Sequence, residues 1–413
     1  MGALKRLTAG SRARIAALAA LIAACAVAAL AARGAAAEST IRIGFPMPLS
    51  GPAAVYGVPV TKGAELAVAD INAHGGVLGH KLELLERDSK ASADEAVRLS
   101  RELILKNNAD FLVGTLTSSE APAVSTIAKE NKIVFIAPTA KSVQLTAPAN
   151  LHPYIFRLAS NTDIEGRTGA ALIARWKDVK RIATIAPDYA YGHDAVATFV
   201  DYIKKARPDI EIVDQQWPKL GQNDFTPFIN AQMGKRPDAI YCDVYGGDFV
   251  TFAKQAGPLG YFKAVDFRLA DGGEVGTIDE AQALGADYPF GIWSDAYDPV
   301  IWPVGESPEH KAFVEHLRAF MKDPYGSGWA VMGYSAVEAL AAGIKKAGSV
   351  DSDKVSKALL GLTFDTPVGK RTFNAATHET ESGEFWGQMV KDEHYPFAII
   401  KDPKYLAQGP LTN

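Results

Sequence analysis

The sequence predicts an α/β protein made of two Rossmann-like lobes, each on a parallel sheet, and three observations predict it. Short apolar runs of strand length alternate with amphipathic helical patterns along nearly the whole chain, an order that implies parallel strands with right-handed crossovers. The series runs from residue 41 to about 158, and a similar one starts again after the extended segment 154–159. The chain is also too long for one hydrophobic core, which favours two domains.

The elements follow in order. Lys5, Arg6, Arg12 and Arg14 precede an apolar run over 15–32, and Ala35-Ala36-Ala37 fits a small-residue cleavage site. This is the pattern of a secretory signal peptide, 1–37, and predicts a periplasmic, exported protein. Ile22-Ala23-Ala24-Cys25 offers a lipoprotein reading, anchored at Cys25, but would leave apolar residues 26–32 beside the lipidated cysteine. The leader carries five basic residues and no acidic one, so its removal moves the formal net charge from −4 to −9. A mildly acidic surface leaves no footprint for nucleic acid. Cys242 is then the one remaining cysteine, within the apolar run 239–244, and reads as a buried, inert thiol.

Residues 41–44 read as the first strand, and 46–57 as a Pro/Gly/Ser loop ending in Tyr56-Gly57. A helix follows with Val60, Ala64, Ala67 and Ile71 on one face, stopped by His74-Gly75-Gly76. Strand 82–86 leads to Ser92-Ala93-Asp94-Glu95, a capping box for the next helix. Phe111, Leu112 and Val113 form a buried strand that opens into a polar turn, 115–119, before a helix with Ser119 as the expected N-cap and Pro122 in its first turn. Strand 133–136 opens into Ala137-Pro138-Thr139-Ala140-Lys141-Ser142. In the second series the strands are 181–187, 210–213, 239–244 and 267–270, followed by extended 288–293, long helices near 308–321 and 329–347, and short strands over 369–400.

Ligands of open α/β sheets bind outside the carboxyl ends of the strands. There the first series offers Ser118, Ser119, the N–H groups of a helix start and Lys141, a set suited to a carboxylate. Tyr56-Gly57, Tyr191-Gly192 and Tyr245-Gly246 each follow a predicted strand, which places an aromatic wall with one polar handle at the same edge of both series. Enzymatic signatures are missing: no G-x-S-x-G, no Walker loop, no H-E-x-x-H, and no metal-ligand spacing among eight histidines. The glycines of Gly75-Gly76-Val77-Leu78-Gly79 follow a helix and fail the context of a dinucleotide fingerprint. No cofactor, metal or catalytic residue is expected.

Ser50-Gly51-Pro52 with Tyr56-Gly57, the run Gly63-Ala64-Glu65-Leu66-Ala67 through Asp70-Ile71-Asn72 to Gly75-Gly76, Gly114 with Ser118-Ser119, Pro138, Tyr191-Gly192 and Tyr245-Gly246-Gly247 carry a resemblance. The chain resembles the periplasmic solute-binding proteins of ABC importers, of the branched-chain amino acid type, over essentially its mature length. The resemblance implies a type I periplasmic binding fold, with lobes of residues 38–158 plus 294–369 and 159–293 plus 370–413. Three crossover strands would join them near 156–160, 292–295 and 370–373. It implies a monomeric, non-enzymatic protein that closes by a hinge on a small-molecule carboxylate and delivers it to an ABC permease and ATPase in the inner membrane. A receptor-coupled sensor subunit is the alternative.

Carried over by motif, Tyr56 walls the pocket, and Ser118 bonds the ligand carboxylate with help from Ser119. The backbone of Thr139 and Ala140 adds contacts, Tyr191 and Tyr245 close from the second lobe, and Trp329 supplies a further aromatic. Two departures bear on the ligand. The resemblance implies a hydroxyl residue where this chain has Lys141, and a second-lobe acid for a ligand ammonium, for which Asp271 or Glu274 is the candidate. An ammonium at 4 Å from the Lys141 ammonium would be repelled by about 1–4 kcal/mol, depending on the effective dielectric, whereas a carboxylate would be attracted. The expected ligand therefore leans to aromatic or keto acids, with branched-chain or other aliphatic amino acids as the alternative.

Overall fold

The computed structural model describes residues 40–296, 308–380 and 383–406; the expected signal peptide and Cys25 lie outside the described residues. The chain starts with β1 (Thr40–Met47), α1 (Ala54–Ala73), β2 (Lys81–Asp88), α2 (Ala93–Leu105), β3 (Phe111–Val113), α3 (Glu120–Asn131), β4 (Phe135–Ala137) and β5 (Ile155–Arg157). These strands form one sheet in the order β2-β1-β3-β4-β5, with every neighbouring pair parallel. β3, β4 and the edge strand β5 are buried along their whole length, as strands of a parallel sheet covered on both faces are. β1 runs past its expected end at residue 44, because Phe45 and Met47 continue into the core.

The second lobe takes up the chain with α4 (Thr162–Ala174), β6 (Arg181–Ile185), α5 (Ala190–Ala206), β7 (Glu211–Gln216), α6 (Thr226–Lys235), β8 (Ala239–Cys242), α7 (Gly246–Ala256), α8 (Tyr261–Ala264), β9 (Leu269–Asp271), α9 (Ile278–Leu284) and β10 (Trp293–Ala296). Next come α10 (Pro308–Met321), α11 (Gly328–Ala347) and α12 (Ser352–Leu359), of which α11 and α12 pack into the first-lobe core through Val337, Leu340, Ile344 and Val355. A hairpin of β11 (Thr363–Thr366) and β12 (Gly369–Thr372) precedes β13 (Glu384–Val390) and β14 (Ile399–Leu406). The second sheet reads β14-β13-β10-β9-β8-β6-β7, parallel from β10 to β7, with β13 antiparallel to both β10 and β14.

One of the expected crossings falls elsewhere. Residues 370–373 do not cross: β12 pairs with β11, and Phe364 and Phe373 bury themselves in the first-lobe core. The chain passes over further on, where Glu379 bridges Arg157 in parallel and the Thr380 N–H donates to the Arg157 carbonyl at 3.0 Å. The second-lobe segment expected from residue 370 therefore joins that lobe's sheet only at β13. The hairpin turn, with Gly369 at φ +110°, keeps the two phenylalanines on the first lobe. The expected crossing near 292–295 overlaps β10 of the second sheet, and the chain beyond it, 297–307, lies outside the described residues.

One helix contact positions the site. A Cβ on Gly63 of α1 would lie 1.7 Å from the Ala330 carbonyl oxygen of α11, and one on Gly333 would lie 1.8 Å from that of Val60. Glycine at both positions lets the two backbones touch. It also brings Tyr56 and Trp329, near the starts of these helices, into a stack with ring centroids 4.1 Å apart. Gly333→Ala must push the helices apart and is expected to cost about 1–3 kcal/mol or more. Denaturant unfolding of the variant checks this; a midpoint equal to that of the unaltered chain would contradict the close crossing.

Candidate functional site

The site is built from the start of α3. Thr117, not Ser119, caps this helix. The Thr117 carbonyl accepts from the Ala121 N–H at 3.1 Å, its hydroxyl accepts from the Glu120 N–H at 3.3 Å, and the Glu120 carboxylate reaches back to the Thr117 N–H at 3.1 Å. This reciprocal box needs a Glu three residues after the hydroxyl, which Thr117 has and Ser119 lacks. Ser119 instead sets its hydroxyl 3.0 Å from that of Thr117. The cap leaves the N–H groups of Ser118 and Ser119 as the first-turn donors that neither the helix ladder nor the box uses. They sit at the positive end of the helix dipole.

The cleft between the lobes holds about 360 Å³ of space, part of it open to solvent, lined by Tyr56, Leu116, Ser118, Thr139, Lys141, Tyr189, Tyr191, Tyr245, Gly272, Gly273, Glu274 and Trp329. Seven of the ten residues expected from the sequence are in this lining: Tyr56, Ser118, Thr139, Lys141, Tyr191, Tyr245 and Trp329. Ser119, Ala140 and Asp271 are not. Ala140 is packed in the apolar core behind the loop, and Asp271 is buried with its Oδ1 accepting from the Gly273 N–H at 2.8 Å. Glu274, the alternative to Asp271, is the acid that faces the cleft. Tyr189 was missed; it sits two residues before Tyr191, and that spacing was the available signal.

The tyrosine hydroxyls bond within the protein, with one proton of the Tyr189–Tyr245 pair left over. Tyr56 donates to the Gly273 carbonyl at 2.9 Å and accepts from the Gly246 N–H at 3.2 Å, so a first-lobe side chain is pinned to second-lobe backbone. Tyr189 and Tyr245 share a hydroxyl contact of 2.8 Å, and Tyr191 donates to the Gly272 carbonyl at 3.3 Å. What these residues present is ring surface: Tyr56 stacks on Tyr245 at 5.8 Å, with Tyr191 edge-on to Tyr245 at 5.7 Å. Burial pushes all four phenols above their ordinary pKa, so they stay neutral. The Thr139 hydroxyl is also committed, to the carbonyls of Thr115 and Leu116. Ser118 Oγ accepts from the Ser142 N–H at 2.9 Å, which leaves its proton free to donate. The buried indole N–H of Trp329 has no hydrogen-bond partner among the described residues.

Lys141 lies in the cleft wall, but its ammonium is taken. It stands 2.6 Å from Glu165, 2.9 Å from Glu274, 3.3 Å from Glu384 and 3.6 Å from Asp295, all buried second-lobe carboxylates. The expectation that it attracts the ligand carboxylate is thereby corrected: its charge is already balanced. Two of the acids are also held by other bonds. Glu384 accepts from Ser160 and Thr168 at 2.8 and 2.9 Å, and Asp295 accepts from the Glu274 N–H at 2.8 Å. Arg157, fully buried, donates to the carbonyls of Lys141 and Ser142 and fixes their loop. Glu165, Asp295 and Glu384 bring oxygens within 4.8 Å of one another, close enough for a metal ion, but the Lys141 ammonium touches all three and is the cation there. None of these acids was singled out in the sequence, because they come from α4, β10 and β13, which only the fold brings together. One ammonium cannot balance four buried charges. Burial raises the Glu165 carboxyl to about 7, and Glu274 and Asp295 are raised for the same first reason. Burial likewise raises the Cys242 thiol well above its ordinary value, which keeps it inert.

Fold and cleft together define a two-lobed α/β binding protein whose ligand site lies between the lobes. The chain belongs to the periplasmic binding protein family, whose profile matches residues 40–393. It is similar to the leucine-, isoleucine-, valine-, threonine- and alanine-binding protein of Pseudomonas aeruginosa, with 30% identity over 344 residues, 82% of this chain and 87% of that one. The Leu/Ile/Val-binding protein of Escherichia coli K12 is 27% identical over 327 residues, 79% of this chain and 84% of that one. Among solved structures, the solute-binding protein of an ABC transporter from Rhodopseudomonas palustris BisB5, in complex with 3,4-dihydroxybenzoic acid, superposes with a TM-score of 0.79 at 24% identity, covering 90% of this chain and 99% of that one. A branched-chain amino acid transporter substrate-binding protein of Streptococcus pneumoniae, in complex with isoleucine, gives 0.76 at 24% identity, covering 89% and 100%. Among the described residues, no helix is long and apolar enough to cross a membrane.

The acid cluster has a pH signature. Glu165 ionises near 7 when folded, against 4.5 ordinarily, so the fold binds its proton more tightly than the unfolded chain does. Its stabilising contribution is complete below about pH 4.5 and is lost as pH rises through about 7. The stability of the unaltered protein minus that of Glu165→Gln should therefore fall across that window and level off above it. Unfolding titrations of both proteins measure the difference; a flat difference would contradict the raised carboxyl.

Proposed function

We propose that this protein is the extracytoplasmic substrate-binding subunit of an ABC importer and captures a small carboxylate, an aromatic acid or a keto acid, between its closing lobes. The observation that carries the reading is the distribution of donors in the cleft. The Tyr56, Tyr191 and Thr139 hydroxyls are consumed internally, the Tyr189–Tyr245 pair keeps one proton to spare, and the Lys141 ammonium is neutralised. A cluster of free donors lies at the start of α3, where the Ser118 hydroxyl lines the cleft beside the unused N–H groups of the helix's first turn. Two or three such donors suit a carboxylate, and charge-assisted bonds there are worth about 1.5–3 kcal/mol each. The rest of the wall is aromatic face, which suits a flat ring. A ligand oxygen reaching the indole N–H of Trp329 would relieve a buried, unpaired donor.

The 3,4-dihydroxybenzoic acid in the Rhodopseudomonas structure supports the aromatic class. The Pseudomonas relative's name favours a second reading, branched-chain or other aliphatic amino acids. In either case the partners are a permease and an ATPase, and the ligand leaves unaltered.

Isothermal titration of the refolded mature chain with benzoate, 4-hydroxybenzoate, phenylpyruvate, leucine and phenylalanine separates the two readings. The acids without an ammonium are expected to bind, and 100 times the dissociation constant should add about 2.7 kcal/mol of stability. Ser118→Ala should weaken that binding about tenfold or more. Amino acid binding with no response to the other acids favours the second reading, and unchanged affinity in Ser118→Ala contradicts the site.

A further inference from the structure

We propose that the second lobe carries a latent ammonium site, plugged by Lys141, and that this side chain is the residue that bars ligands bearing an ammonium beside their carboxylate. The inference rests on the carboxylate reading of the cleft for its consequence, but not for its test. The side chain leaves the first-lobe loop that holds Thr139, lines the cleft, and ends among Glu165, Glu274, Asp295 and Glu384 of the other lobe. Glu274 lines the cleft as well, so the acid cluster opens onto the ligand space at the point where the Lys141 ammonium meets it. Two of the four carboxylates are placed without the lysine, while Glu165 and Glu274 face its ammonium. Ser160 and Thr168 hold Glu384, and the Glu274 backbone holds Asp295. A short cation-accepting recess is thus built into the second lobe, and the protein fills it with its own tethered ammonium. A ligand ammonium arriving there would meet Glu274 already paired and a like charge beside it. Burial holds part of the cluster protonated, which fits one cation shared among several acids.

Lys141→Ala removes three methylenes and the ammonium, the atoms of n-propylammonium. The variant is expected to melt lower than the unaltered protein and to regain thermal stability, saturably, when n-propylammonium is added. Neither the unaltered protein nor Lys141→Met, which fills the space without charge, should respond. Lys141→Ala should also gain at least tenfold in affinity for phenylalanine or leucine relative to the unaltered chain. Where Lys141→Ala does not fold alone, refolding with and without n-propylammonium decides the matter, and recovery only with the amine supports the plug. A Lys141→Ala protein indifferent to the amine in melting or refolding, or a Lys141→Met protein rescued equally well, overturns it. Absence of carboxylate binding by the unaltered protein would instead overturn the proposed function and leave the amine result standing.

Discussion

The closed arrangement depends on a single charge placed among several of opposite sign. Lys141 is carried by the first lobe and buried in the second, within 3.6 Å of four carboxylates. Taking the ammonium away leaves buried carboxylates without compensation, a loss of about 3–5 kcal/mol in comparable sites, even though such a pair adds little net stability over an apolar substitute. Its value is therefore in specifying one relative position of the lobes. Arg157 fixes the loop from behind by donating to the Lys141 and Ser142 carbonyls, and it lies where the returning chain passes over at Glu379 and Thr380.

The aromatic wall follows from a second economy of polar groups. A tyrosine in a cleft could serve as a ligand handle, but here every cleft tyrosine hydroxyl finds its partner within the protein. Tyr56 does the most, since its hydroxyl reaches across to Gly273 and Gly246 of the other lobe. The rings are left as flat apolar faces, and in the proposed reading polar recognition falls mainly to the helix start of α3. That division, a polar end and an aromatic body, is what the cleft presents to a small acid.

Most of the architecture was legible because it rests on local rules. Alternating strand and helix patterns, the stop at His74-Gly75-Gly76 and the Ser92 cap follow from periodicity and turn chemistry, and the Ser92 hydroxyl does accept from the Glu95 N–H. The same rules mark the strand ends, so Tyr56, Ser118, Tyr191 and Tyr245 could be placed in one cleft from sequence. The failures come mostly from tertiary pairing, which is not local; the cap of α3 is the exception. Ser119 was expected as the cap although Thr117 and Glu120 carry the box signature. The third crossing was set too early because the β11–β12 hairpin holds Phe364 and Phe373 on the first lobe. Glu274 was named as a candidate acid, but Glu165, Asp295 and Glu384 were not, because they are scattered over more than two hundred residues of sequence.

A crystal structure of the mature protein soaked with 4-hydroxybenzoate tests the central claim most directly. The account predicts the ligand carboxylate on Ser118 and the start of α3, its ring between Tyr56, Tyr245 and Trp329, and the Lys141 ammonium still on Glu165 and Glu274. A ligand carboxylate bonded to the Lys141 ammonium, with that side chain drawn out of the acid cluster, would contradict it.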